Sequence, residues 1–220
     1  MEPTASPDAP RQIPLRERLV DAGVELVESG GPGSLGLREI ARRAGVSHGA
    51  PRRYFPTHHS LLSAIARRGF DDLKVRFERV GGEAGSAPEE QLRALARSYV
   101  DFALERRGMF ELMFRHDLLA SEVHAAGAEG PRLREETLPL LTAVAALIGR
   151  CRNSHAASAP EAAAALWANL HGIAQLWTWG SLPLALDVPP GGGPASREAL
   201  DRLVKAAVDA HLGGPRQVTV

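Results

Sequence analysis

Between Leu37 and Phe55 two short helical stretches meet at the three-residue turn Gly45-Val46-Ser47. Helices this short are unstable alone, so both must pack on something longer. Ala41, four residues before Gly45, is small enough to let the two backbones approach, and Gly45 permits the tight turn. The flanks supply the longer partners. Leu15, Leu19, Ala22, Val24, Leu26 and Val27 mark a first helix with one apolar face, ended by the GGPG run at 30–33. A second helix is expected from Leu37 to Ala44, with Gly36 as N-cap and Glu39 in the first turn. Ser47 is the expected cap of a third, about His48 to Tyr54. Thr57 caps a fourth, which carries Leu61, Leu62, Ile65, Phe70, Leu73 and Phe77.

Beyond GEAGSAP the chain stays helical. The spacing predicts helices at about 88–107, 109–126, 131–153, 160–181 and, after PPGGGP, 196–212. Ala, Leu, Arg and Glu are plentiful, β-branched and aromatic residues sparse, and no stretch alternates as a strand does. The expected fold is all-α: a tail at 1–14, a head at 15–80 and a larger body at 81–220. The proline-rich, polar tail reads as disordered, since it cannot bury enough surface to order itself. It lacks the basic start and apolar core of a secretory signal, and no apolar run approaches membrane-helix length. The single cysteine, Cys151, excludes an internal disulfide. These features fit a cytoplasmic protein.

The net charge is zero, but it is unevenly placed. Residues 11–80 carry 13 Arg or Lys against 8 Asp or Glu, whereas residues 81–220 carry 13 against 16. A basic head reads either as a polyanion-binding surface or as an arginine-rich solvated face, and charge alone leaves both open. The turn decides. Two short helices around it form a helix-turn-helix pattern, whose second helix enters the DNA major groove. Arg52 and Arg53 lie on that second helix and Arg42 and Arg43 end the first. Guanidinium groups there attract phosphate and can read guanine edges.

Residues 15–65 resemble the DNA-binding domain of the tetracycline-repressor (TetR) family of transcription regulators. The resemblance is carried by Leu37, Arg38, Glu39, Ile40, Ala41, Ala44, Gly45, Val46, Ser47, Gly49, Arg53, Phe55, Leu61 and Leu62. There are departures. Pro51 and Arg52 stand where the family usually has a Leu-Tyr pair, and His58 and His59 replace a basic and an acidic residue. The resemblance implies an operator-DNA contact set of Arg38, Ser47, His48, Gly49, Ala50, Arg52, Arg53, Tyr54 and His58. It also implies a homodimer and a body that binds a small-molecule effector, which shifts the population of shapes that fit DNA. The stretch LWANLHGIAQLW, with Trp167, His171 and Gly172, resembles a Trp-His-Gly helix seen in one subgroup of the family's C-terminal domains.

Aromatic residues and methionines gather at 99–114 and 167–179. Phe102, Phe110, Met113, Phe114, Trp167, His171 and Gln175 are the candidate ligand contacts; the competing reading for each is plain core or dimer packing. A cavity of about 300 Å³ or more is expected among them. The effector it would take is mostly apolar, and neutral or cationic in view of the acidic body. Leu166, Leu170, Ile173, Leu200, Leu203, Val204 and Val208 provide apolar surface for a dimer through the helices at 160–181 and 196–212.

No catalytic residue, cofactor or metal is called for. SGGPGSLG lacks the Lys-Ser/Thr of a phosphate loop, and neither His-Glu-x-x-His nor Gly-x-Ser-x-Gly occurs. His58 and His59 are adjacent and diverge on a helix; His116, Asp117 and His124 could gather a metal, but with eight histidines in the chain chance proximity is the preferred reading. Cys151 lies between Arg150 and Arg152, which would lower its pKa, but a buried inert thiol is the preferred reading. The expected function is a ligand-responsive repressor. The alternative is a helical small-molecule-binding protein or enzyme whose head is only a packing module.

Overall fold

A computed structural model describes residues 13–81, 87–115, 133–151, 158–189 and 192–212. Among the described residues, ten α-helices and two 3-10 turns account for the regular structure, and no strand occurs. Most of the tail, the 116–126 part of the expected sixth helix, and His116, Asp117 and His124 lie outside those residues.

Helix α1 (Leu15–Gly30) buries Leu19, Ala22, Leu26 and Val27 on one face. Gly31, at φ +70°, carries the chain out of it, and its N–H donates to Val27 O. A 3-10 turn (Pro32–Ser34) follows, pinned by the Ser34 hydroxyl donating to Leu26 O. Helix α2 (Leu37–Arg43) starts after an extended Gly36. Its end is closed by Arg18, whose guanidinium donates to Ala44 O at 2.6 Å. Gly45 then takes φ +67°, the left-handed geometry its sequence position demands. Helix α4 (His58–Gly81) begins with reciprocal bonds between Thr57 and Ser60, a side-chain cap that stabilises by about 1 kcal/mol.

Helix α3 departs from expectation. It spans only Pro51–Tyr54, not His48–Tyr54. Pro51 has no N–H to donate into a preceding turn, so it takes the first helical position, where none is required. Residues 48–50 form a turn in which Ala50 N–H donates to Ser47 O, and Ser47 does not cap the helix with its side chain. Pro51 itself is buried against α1 and its neighbours.

The body comprises α5 (Pro88–Glu105), α6 (Arg107–Met113), a 3-10 turn (Leu133–Glu136), α7 (Thr137–Cys151), α8 (Ala159–Thr178), α9 (Ser181–Ala185) and α10 (Pro194–Leu212). A capping box between Ser158 and Glu161 starts α8. Gly180, at φ +80°, turns the chain from α8 into α9. Helices α5, α7, α8 and α10 pack on one another, and ion pairs Arg93–Asp209, Arg97–Asp201 and Arg197–Asp101 tie α5 to α10. The buried core runs without interruption from α1 to α10, so head and body share it.

Two contacts join them most closely. Gly108 on α6 lies against α1: a Cβ there would meet Val27 O at 2.2 Å. Gly69 on α4 accommodates Met109 and Met113 of α6 in the same way. Helix α6 therefore rests on both long helices of the head.

Candidate functional site

The turn and α3 stand proud of the head. Arg38, Ser47, His48, Gly49, Arg52, Arg53 and Tyr54 are exposed, Ala50 and His58 half-buried. The cations divide into two groups. Arg42 is held by Glu39 at 2.5 Å, and Arg43 by Glu25 at 3.0 Å. The Arg42 hydrogen bond lowers the Glu39 carboxyl below its usual range. Arg38, Arg52 and Arg53, by contrast, have no partner among the described residues. A guanidinium left unpaired can bind a phosphate or base edge without first breaking an ion pair.

Two contacts fix the angle of this surface. His58 Nε2 lies 2.6 Å from Leu35 O, so the residue at the family's usual lysine position ties α4 to the loop before α2. Arg16 covers the buried Phe55 ring at 5.2 Å, which fastens the end of α3 to α1.

In the body, a narrow slot lies between α4, α5, α7 and α8. Phe70, Leu73, Leu92, Tyr99, Leu140, Val144 and Trp167 are among its walls. Its cavity volume is only about 50 Å³. Helix α7 explains the hollow. Leu140, Leu141, Val144 and Leu147 face inward yet are only half-buried, and Ile148 alone in α7 is fully covered.

The sequence candidates fall in different places. Phe114 and Trp167 line the slot. Phe102 and Met113 are fully buried; Phe102 packs beneath the guanidinium groups of Arg76 and Arg106, and Met113 beneath Gly69. Phe110 and Gln175 line a separate recess with Ala103, Arg107, Glu111, Ala174, Thr178 and Trp179. His171 lies between the two hollows, stacked on Phe110 at 5.1 Å and edge-on to Phe114 at 4.8 Å.

A hydrogen-bonded trio forms the polar edge of the slot. Trp167 Nε1 donates to the Tyr99 oxygen at 2.9 Å, leaving the Tyr99 hydroxyl to donate to His171 Nδ1 at 3.0 Å. Burial pushes the Tyr99 hydroxyl well above its usual pKa and His171 below its own. The trio is therefore uncharged near neutral pH.

Arg106, at the break between α5 and α6, escaped sequence reasoning. It donates to Glu28 of α1 and to Asp72 of α4. Burial works against its charge, but those bonds outweigh it and raise its pKa.

Cys151 is half-buried, and its thiol is raised chiefly by burial and then by Glu89, against Arg150 and Arg93. The lowered-pKa reading is thus corrected. No His, Cys, Asp or Glu cluster fit for a metal occurs among the described residues.

Comparison with known proteins places this arrangement. The model of bacterial regulatory proteins of the tetR family matches residues 19–65, and that of the tetracyclin repressor-like C-terminal domain matches 92–207. The regulator BetI of Stenotrophomonas maltophilia is 33% identical over 86 residues, 39% of this chain and 44% of that protein. The repressor KstR of Rhodococcus jostii is 32% identical over 129 residues, 54% and 57% of the two chains. The chain spans about half the length of the curated relatives it matches. A solved protein of unknown function from Rhodococcus sp. RHA1 is 30% identical, with a TM-score of 0.70 over 93% of this chain and 97% of that one. The fatty acid degradation regulator FadR of Bacillus halodurans, at 16% identity, shares the fold with a TM-score of 0.66, covering 94% and 99%. With one matched model on the turn that carries the unpaired arginines and another across more than half its length, the chain belongs to the tetracycline-repressor family.

Proposed function

We propose that this protein is a ligand-responsive repressor that binds operator DNA as a two-fold dimer and leaves it when a small, mostly apolar effector enters the body. The observation that carries the reading is the exposed trio Arg38, Arg52 and Arg53, unpaired among the described residues on a helix-turn-helix whose other cations are paired. Ser47, His48, Gly49, Ala50, Tyr54 and His58 complete the contact set, with backbone and side-chain donors for phosphate. The head is residues 15–80, the sensing and dimerising body 81–220.

The sensing half rests on the slot, whose walls are almost wholly apolar. An effector there separates α4 from α7 and α8, and α4 is also the longest helix of the head. A ligand that prefers a wider slot therefore prefers a different head position, and operator must weaken its binding by the same factor.

A gel shift against fragments of the host genome tests the reading, first in its DNA part. Salt-sensitive retention of particular fragments is expected. Failure to retain any fragment over bulk DNA would favour the other reading, a helical small-molecule binder or enzyme with the head as a packing module.

A further inference from the structure

The slot and the recess are neighbours of opposite character. The slot is apolar and nearly shut. The recess has a volume of about 250 Å³, and its walls mix polar and apolar groups. Ala103, Phe110 and Ala174 form its buried floor; Arg107, Glu111, Gln175, Thr178 and Trp179 surround them. Arg107 and Glu111 are four residues apart on one helix face, a spacing that permits pairing. Neither has a partner among the described residues. Trp179 is 67% exposed, although indole is among the costliest surfaces to leave in water.

One layer of rings separates the two hollows. Phe110 lines the recess and Phe114 the slot, with centroids 4.9 Å apart. Tyr99, on the slot side, lies edge-on to Phe110 at 5.6 Å. His171 fills the remaining gap against both Phe110 and Phe114. Within the slot the Tyr99 and Trp167 donors are already engaged with each other and with His171, so a polar ligand atom there finds little to bond. A ligand with a polar end must place that end elsewhere, and the recess is one ring away.

We propose that the slot and the recess are the two ends of one effector site, closed here by the Phe110–His171 layer. The effector is an amphipath whose apolar body enters the slot. Its uncharged head, with hydrogen-bond donors and acceptors, sits in the recess against Arg107, Glu111, Gln175 and Thr178. Arg107 offers only donors and the Glu111 carboxylate only acceptors, so a head that both donates and accepts engages both. Phe110 belongs to α6, so threading the layer moves the helix that rests on α1 and α4. This inference rests on the effector reading above and extends it.

Calorimetry on the full chain tests it with two probes that share one body, butylbenzene and 4-phenylbutanamide. The amide is expected to bind about tenfold more tightly, the worth of one or two hydrogen bonds. Val144→Trp, which fills the slot, should weaken both probes. Ala174→Trp, which fills the recess, should abolish the amide's advantage and leave butylbenzene bound. Gln175→Leu, a milder change at the surface of the fold, should reduce that advantage by about threefold. Equal binding of the two probes to the native protein would overturn the proposal while leaving an apolar slot site intact. An unchanged preference in both recess variants would do the same. So would a shift in light-scattering mass in Ala174→Trp, since the recess would then be a protein interface. Failure of both probes to bind at all would overturn the slot reading and this one together.

Discussion

Pro51 shows how one residue sets the shape of the proposed DNA-binding surface. It moves the start of α3 to its own position and buries its ring, which leaves a four-residue helix with Arg52 and Arg53 on the outside. The family's tyrosine is absent there, and an exposed guanidinium stands in its place. If these arginines read base edges, Arg52→Ala and Arg53→Ala should each cost about 1–3 kcal/mol of specific binding. If they bind only phosphate, all sequences should weaken alike and the salt dependence should flatten. Operator titrations at several salt concentrations separate these outcomes, and unchanged affinity in both variants would remove α3 from the mechanism. A second residue-scale expectation concerns the uncharged trio. Burial depresses the His171 pKa, so the unfolded chain takes up a proton at higher pH than the folded one. Stability should therefore fall as pH drops below about 6.5, the ordinary histidine value. Burial raises Tyr99, so the unfolded chain loses its proton first, and stability should fall again as pH climbs above 10.0. Thermal melts across pH would show both limbs, and His171→Phe should flatten the acidic one.

Helix α6 touches both long helices of the head, α1 and α4. It is short, and its grip comes from two glycines and one arginine. Gly108→Ala would press a methyl group into a backbone carbonyl that cannot swing aside. A cost of about 1–3 kcal/mol is expected, with an altered response to effector in operator gel shifts. Gly149→Ala on α7 is the comparison, because its Cβ meets only Ala159 at an ordinary 3.9 Å. There the gain in helix propensity should stabilise by up to about 1 kcal/mol. A Gly108→Ala protein as stable and inducible as the native one would mean that α6 does not carry the signal. The same helix marks the limit of what the sequence discloses. The head was legible because its signals are local: Gly45, Thr57 and the apolar face of α1 each act within a few residues. The candidate ligand site was not, because Phe102, Met113 and Phe114 are all large apolar residues. Only tertiary packing makes two of them solid core and one a cavity wall. Arg106 is legible only once α1 and α4 stand beside it.

Assembly belongs to the whole molecule. Six of the apolar residues expected at a dimer contact, Leu166, Leu170, Ile173, Leu200, Val204 and Val208, are buried within one chain, and Leu203 is half-buried against the same core. Leu203→Glu would therefore unsettle the fold of each subunit as well as any contact between subunits. The surface left for a partner is another one. From Ala162 to Thr178, α8 carries no charged side chain, and Ala165, Ala168 and Leu176 are exposed, with Gly172 half-buried on the same face. A solvated helix face normally carries charge. This one is flat, small and apolar, which lets a second helix approach closely. A two-fold pairing across α8 and α10 would hold two heads at a fixed separation, and operator half-sites one turn apart require about 34–36 Å. Ala168→Glu should place two like charges at that contact, one from each subunit, with no partner to neutralise them. Light scattering should then show the mass halved, while the melting curve of the subunit stays close to native. Operator affinity should fall steeply, because each head would bind its half-site alone, and weak binding to bulk DNA should persist. A native protein that is monomeric at micromolar concentration, or an Ala168→Glu variant that stays dimeric and grips operator as before, would place the partner surface elsewhere.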